Sequence, residues 1–189
     1  MERLEALEAF EELKQRLTHQ RPAEWEAFPD IGLYMDQLVS YLPRQLIHYG
    51  EEPVLTSAMV NNYIKDGLLP RAEGKRYAQG HLAYLTAICM LKQVLSVKET
   101  NRLIAMGNQR KGSTQELYAY FCAQLDGALS ETAQRLPEEC AVEDLPRLAL
   151  NLALRSYADR LACQRILDIL AKTEPQPEKP EKKREKAGK

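Results

Sequence analysis

The side chains best suited to recognition chemistry in this sequence lie between residues 56 and 77. Asn61 and Asn62 are adjacent, and an asparagine amide can form two hydrogen bonds with the edge of adenine in the major groove of DNA. Lys75 and Arg76 follow as a basic pair, and their charges suit contacts with phosphate. The same residues are also compatible with an ordinary polar helix surface and a solvated turn, so their types alone leave both interpretations open.

We expect a short helix to position the two amides. Thr56 or Ser57 can cap its first turn by accepting a hydrogen bond from a free backbone amide. Gly67 can end it in the left-handed conformation, and Pro70 prevents its continuation. The polar side of this helix carries Ala58, Asn61, Asn62 and Lys65, and the apolar side carries Val60, Tyr63 and Ile64.

The net charge of −1 conceals a division along the chain. Residues 54–112 carry nine basic and three acidic residues, whereas residues 1–53 carry five basic and eleven acidic ones. Residues 113–171 are acidic again, with five basic and nine acidic residues. A polyanion would therefore be drawn to the central segment only, although charge blocks of this kind are also common on solvated faces.

Apolar periodicity predicts helices on both sides of the polar helix. Large apolar residues recur every three or four positions from Leu4 to Leu17, as in an amphipathic helix. A second helix is expected from about Gly32, and Pro43 should kink or restart it. A further helix is expected around Leu82–Leu95.

Capping signals mark two more helix starts. Ser96 and Glu99 stand at capping-box spacing, and Ser113 and Glu116 repeat that spacing. The apolar residues that follow Ser113 predict a helical hairpin, with one helix over 113–135 and another from about residue 145.

These patterns predict an all-α protein with four parts. They are an N-terminal amphipathic helix and linker (1–29), a central domain (30–112), a C-terminal helical hairpin (113–172) and a charged tail (173–189). The central domain should end in the polar break from Gly107 to Gly112. The tail has no large apolar residue to offset its ordering entropy, so we expect it to be disordered.

An enzyme needs polar groups that converge on a pocket, and the sequence shows no such group. His19, His48 and His81 fall in different segments, and neither a glycine-rich phosphate loop nor a nucleophile elbow occurs. We therefore expect a protein that is not an enzyme, with no catalytic residue, no cofactor and no metal site.

The remaining features concern the cellular compartment. The four cysteines lack the spacing of a zinc site or a redox pair, and we expect them to be small buried hydrophobic residues in a reducing environment. They are Cys89, Cys122, Cys140 and Cys163. The N-terminus is acidic, and no apolar run reaches membrane-spanning length, so we expect a cytoplasmic protein without membrane contact.

The stretch Thr56–Ile104 reads TSAMVNNYIKDGLLPRAEGKRYAQGHLAYLTAICMLKQVLSVKETNRLI. It resembles the winged helix-turn-helix of MerR-type transcription regulators, in which a recognition helix ending in tyrosine precedes Gly-Leu-Leu-Pro and a short basic wing closes on tyrosine. With the upstream segment WEAFPDIGLYMDQLVSYLPRQL, residues 25–106 are similar to the MerR-like bacterial family of domain of unknown function 1836. The matching positions are Tyr63, Gly67, Leu68, Leu69, Pro70 and Tyr77.

The resemblance implies a DNA-binding transcriptional regulator, with the recognition helix in the major groove and a small β wing on phosphate. It further implies double-stranded DNA as the partner and an unknown small-molecule effector. The size of the apolar stripe after Ser113, together with the match between two-fold proteins and two-fold operators, predicts a homodimer through the helices after Ser113. Four aromatic residues, Tyr118, Tyr120, Phe121 and Tyr157, could line an effector pocket, although aromatics at helical spacing are more often core. The implied DNA-binding residues are Ser57, Ala58, Asn61, Asn62, Lys65, Arg71, Lys75, Arg76 and Tyr77.

The chain departs from the MerR pattern at three places. After the domain, MerR-type proteins place a single long dimerisation helix, whereas this sequence has two helices separated by Pro137–Pro146. The other two departures lie in the recognition helix and the wing. Many MerR-type helices present Arg-Tyr-Tyr where this chain has Asn61-Asn62-Tyr63, and the wing arginine two positions before the tyrosine is Lys75. An asparagine cannot clamp phosphate through two hydrogen bonds as arginine does, so we expect a lower affinity per monomer or a different operator. The alternative interpretation is a protein-interaction module that keeps the winged-helix fold without binding DNA.

Overall fold

The computed structural model describes residues 3–109 and 112–173. Within these ranges there is no β-strand, so the predicted all-α class is confirmed, and no helix is long and apolar enough to cross a membrane. Short 3-10 turns occur at Trp25–Ala27, Leu42–Gln45 and Val142–Asp144. The α-helices are α1 (Arg3–His19), α2 (Met35–Tyr41), α3 (Ser57–Lys65), α4 (Gln79–Leu91), α5 (Val97–Gln109), α6 (Thr114–Arg135) and α7 (Leu145–Thr173).

Helix α4 forms the centre of the hydrophobic core. Leu82, Leu85 and Ile88 have no exposed surface, and Ala83 and Cys89 are buried on adjacent faces. A helix that is apolar on most of its faces is surrounded by others, and α4 packs against α6 and the 3-10 turn at Leu42–Gln45. The core around α4 therefore supports α3 and the turn that follows it.

Packing continues across the predicted boundary at residue 113. Tyr118 of α6 is buried, and its ring lies 5.1 Å from that of Phe28 and 6.4 Å from that of Trp25. Its hydroxyl donates a hydrogen bond of 2.8 Å to the carbonyl of Ala23. The first turns of α6 thus share a core with the linker before α2.

Both predicted capping boxes are formed. The Ser96 backbone N–H donates to the Glu99 carboxylate at 2.8 Å, and that of Ser113 donates to Glu116 at 2.6 Å. Hydrogen bonds from Ser96 hold the pKa of Glu99 below its ordinary value, and those from Ser113 do the same for Glu116. Because a lowered carboxyl pKa stabilises the folded state only above that pKa, both helix starts weaken in acid.

Two sequence-based expectations need correction. The helix expected from about Gly32 begins at Met35, because the backbone of Leu33 is extended and pairs with that of Tyr77. The expectation of buried cysteines holds in full for Cys89 alone, since the other three are half-buried. The tail expected to be disordered from residue 173 lies outside the described residues, except that Thr173 ends α7.

Burial raises the pKa of the Cys89 thiol to about 12. The thiol is therefore protonated at neutral pH, and Cys89 behaves as the small hydrophobic residue that the sequence predicts.

Candidate nucleic-acid interface

Helix α3 is fixed at both ends by local hydrogen bonds. The Thr56 hydroxyl accepts from the backbone N–H of Met59 at 3.2 Å, which makes Thr56 the N-cap. At the other end, the Leu68 N–H donates to the Tyr63 carbonyl at 2.8 Å and the Gly67 N–H donates to Ile64 at 3.2 Å. These two bonds form a Schellman motif, with Gly67 in the left-handed region at a φ of 71° as predicted.

The two sides of α3 have different environments. Val60 and Tyr63 are buried against the core. On the opposite side, none of the polar side chains has a hydrogen bond to another described residue, so the amides of Asn61 and Asn62 are available to an outside partner. All five predicted contact residues of this helix are exposed: Ser57, Ala58, Asn61, Asn62 and Lys65.

Gly67→Ala tests the end of α3. A Cβ at this position meets nothing within 4 Å, so the substitution adds left-handed strain without a clash. We expect the free energy of unfolding to fall by about 1–2 kcal/mol, measured by urea denaturation.

The matched control is Gly127→Ala in α6, where a Cβ also meets nothing within 4 Å but the backbone is helical. That change should stabilise the protein by about 0.5–1 kcal/mol, because alanine is the better helix former. Equal midpoints for the Gly67 variant and the parent would show that the α3 terminus does not depend on the left-handed glycine.

A tight turn follows α3 and exposes the basic pair. The Arg76 N–H donates to the Glu73 carbonyl at 2.9 Å, and both central residues, Gly74 and Lys75, have positive φ values of 55° and 66°. This is the type I′ geometry that reverses a chain in two residues. Lys75 and Arg76 are exposed at its tip, and Arg71 is exposed before it.

The turn is attached to the body through Tyr77. Its backbone exchanges two hydrogen bonds with Leu33, of 2.8 and 2.9 Å, and its side chain is buried in the core. Tyr77 therefore anchors the turn from within, and of the residues predicted to bind DNA it is the one whose side chain does not reach the surface.

Tyr34 and Gly32 hold Arg76 in place, and no local pattern in the sequence marks either residue. The Arg76 guanidinium lies 4.7 Å from the centre of the Tyr34 ring and donates a hydrogen bond of 3.0 Å to the Tyr34 hydroxyl. A Cβ on Gly32 would come within 2.9 Å of the Cβ of Arg76, so a glycine is needed for this approach. These contacts join the segment before α2 to the tip of the turn.

His81 provides a second attachment. Its Nδ1 accepts the backbone N–H of Ala78 at 3.1 Å, which leaves the proton on Nε2 to donate to the Arg71 carbonyl at 3.2 Å. Its ring also packs edge-on against Tyr77, with the centroids 5.5 Å apart. His81 occupies the position at which a capping box usually carries Glu or Gln, so the usual residue pattern of a capping box does not predict this contact.

Helix α5 contacts the end of α3 directly. The side-chain amide of Asn101 donates to the Asp66 carbonyl at 3.1 Å, satisfying one of the carbonyls that a helix end leaves without an internal partner. The orientation of α3 is thus tied to α5 as well as to the core.

The cations of this region, like Arg44 and the four cations of α7 that follow Arg147, form no ion pair with a described residue. Among the described residues, every ion pair within 4 Å uses a cation from outside residues 54–109, namely Arg3, Lys14, Arg16, Arg21, Arg135 or Arg147. The cations of the central segment have no carboxylate partner in this part of the chain, so their charge is not neutralised internally. They are Lys65, Arg71, Lys75, Arg76, Lys92, Lys98 and Arg102.

Comparison with known proteins identifies the family of the chain. A family model described as domain of unknown function (DUF1836) matches residues 23–121, which is just over half of the chain. The matched range includes α2 to α5 and the first turns of α6, the same elements that share the core around Tyr118. No curated protein and no solved structure matches the chain.

Proposed function

We propose that this chain, which belongs to the DUF1836 family, is a DNA-binding transcriptional regulator of MerR-like type. Helix α3 enters the major groove, and the turn from Arg71 to Tyr77 acts as a basic wing on phosphate. The observation that carries the proposal is that two features occur together in the central segment. Helix α3 carries side-chain amides without a hydrogen bond to another described residue, and the cations have no carboxylate partner among the described residues.

The proposed wing is smaller than the β wing that the MerR resemblance implies. Its support is the type I′ turn at Glu73–Arg76 together with the two backbone hydrogen bonds between Leu33 and Tyr77. A larger wing would have β-strands here, whereas this chain has isolated β-bridges. The side chains of Tyr34 and His81 attach the turn at its two ends. A short, well-anchored loop of this kind places its cations at a fixed distance from α3.

Asn62→Ala and Asn61→Ala test whether these two asparagines recognise base edges in the major groove. A good bidentate contact discriminates against the wrong base by about 1–3 kcal/mol, so removing one should relax the preference at a single operator position. The salt dependence of binding should stay unchanged, because the phosphate contacts remain in place. Competition binding with operator variants measures this, and an unaltered preference at every position in both variants would remove the two amides from the interface.

The proposal as a whole is tested by titrating duplex DNA at several salt concentrations. A protein held by phosphate contacts loses affinity linearly on a log–log plot, because each contact releases counterions. Absence of binding to any duplex at low salt would instead favour a protein-interaction module with the same fold.

We also propose that the chain forms a homodimer through α7. This helix has 29 residues, and every residue from 153 to 162 is exposed. Four apolar side chains on it are spaced four, three and four residues apart, which is the spacing of a coiled-coil seam. They are Leu150, Leu154, Tyr157 and Leu161, and all are between 55% and 66% exposed.

This apolar stripe points away from the chain's own body. Leu167 is the buried residue of α7, and the stripe lies roughly 100° around the helix from it. A second copy can therefore cover the stripe without displacing α5, which packs against α7.

Charge favours an antiparallel arrangement of the two copies. A parallel pairing brings Arg160 close to the partner's Arg165, and like charges at these positions repel. In an antiparallel pairing Leu150 faces the partner's Leu161, and Leu154 faces the partner's Tyr157, so the four apolar positions match. A two-fold dimer of this kind suits an operator with two half-sites.

A further inference from the structure

An apolar cavity of about 420 Å³ lies where α4, α5 and α6 meet, and its lining shares no residue with the proposed DNA-binding surface. Its volume falls within the range of small-molecule sites in proteins. Small residues on α4, Ala83 and Ala87, create the space, and larger apolar residues of α5 and α6 form the walls. Leu170 near the end of α7 also lines it.

The lining defines the chemistry of an occupant. Among the described residues, none of the lining side chains is charged, so a charged molecule would lose its hydration without gaining an ionic partner from them. Tyr118 and Phe121 both line the cavity, and their rings are 6.4 Å apart and inclined by 24°, so part of the wall is aromatic and suits another ring. Polar groups are few, and Thr114 and Gln124 are among them.

The chain itself offers little to fill this space. Outside the described side chains, Met1 is the one large apolar residue, since residues 108–111 are Asn, Gln, Arg and Lys and residues 174–189 contain none. The apolar stripe on α7, which we assign to a second copy, shares no residue with the cavity lining. Three helices, α4, α5 and α6, supply nearly all of the lining, and a space of this size suits a compact molecule better than an added helix.

We propose that this cavity is a binding site for an uncharged, largely apolar small molecule that contains a ring. Of the four aromatics that the sequence offers for a pocket, Tyr118, Tyr120 and Phe121 line it, and Tyr157 lies on the stripe of α7 instead. The site is distinct from the proposed DNA-binding residues, and its occupancy does not depend on DNA binding.

The test uses N-phenyl-1-naphthylamine, an uncharged aromatic probe whose fluorescence rises in apolar surroundings, with the full chain. We expect saturable binding of one probe per chain. Ala87→Phe fills the cavity and should weaken probe binding at least tenfold. The matched control is Ala105→Phe, which places the same ring on the exposed side of α5 outside the lining and should bind the probe as the parent does.

Leu103→Glu provides a second variant, in case the larger ring at position 87 prevents folding. Leu103 is 36% exposed at the border of the cavity, so a carboxylate there is compatible with the fold and should also weaken probe binding. Leu154→Glu, on the α7 stripe, should leave it unchanged. The proposal is overturned by absence of saturable binding to the parent, by equal affinity in Leu103→Glu and the parent, or by loss of binding in Leu154→Glu.

Discussion

Replacing Lys75 and Arg76 together with alanine is expected to weaken binding to all duplex sequences alike. Both side chains are exposed at the tip of the type I′ turn, and neither forms an ion pair with another described residue. Removing one phosphate contact lowers the slope of log affinity against log salt by about 0.9, so removing two lowers it by about 1.8 per chain. Titration of a selected and a random duplex at four salt concentrations measures both effects.

Arg3→Ala with Arg135→Ala is the matched control, because it removes the same charge from exposed positions outside the central segment. These arginines pair with Glu143 and Glu131 on the molecule itself. The control should leave the slope almost unchanged. If the wing variant and this control have equal slopes of log affinity against log salt, Lys75 and Arg76 affect DNA binding only through the net charge of the protein.

Leu154→Glu is expected to convert the dimer into a monomer. In the proposed antiparallel pairing Leu154 contacts the partner's Tyr157, and the two-fold axis repeats the change. Losing the burial of two leucines costs about 3–6 kcal/mol, which raises the dimer dissociation constant by roughly 10²- to 10⁴-fold. Analytical ultracentrifugation over a range of concentrations measures the shift.

Ile166→Glu is the control for the dimer prediction. Ile166 is 56% exposed, close to the value of 58% for Leu154, but it lies on another side of α7. It should leave the assembly intact. A parent that sediments as a monomer at micromolar concentration, with and without DNA, would contradict the assignment of α7 as the dimer interface.

Local signals in the sequence predict those parts of the fold that local hydrogen bonds determine. Both capping boxes, the N-cap at Thr56 and the left-handed Gly67 satisfy backbone groups within a few residues of themselves. The same holds for the bounds of α6 and α7, which follow from a cap or from apolar periodicity. A short stretch of sequence predicts such features because the groups that interact lie within that stretch.

Long-range contacts account for what the sequence does not reveal. The apolar neighbours of Leu33 favour a helix, but its backbone pairs with Tyr77, which is far away along the chain. The attachment of the turn by Tyr34 and His81 depends on that pairing, and it has no local pattern. The candidate contact residues on α3 are readable from helical spacing, whereas the burial of the Tyr77 side chain is not.

The most direct test of the central claim is selection of bound sequences from a pool of random duplex DNA with the purified full chain. We predict enrichment of a site with two related half-sites, and we predict that Asn62→Ala or Asn61→Ala relaxes one position within each half-site. A pool that stays random after repeated rounds at low salt would contradict the assignment of α3 and the turn from Arg71 to Tyr77 as a DNA-reading surface.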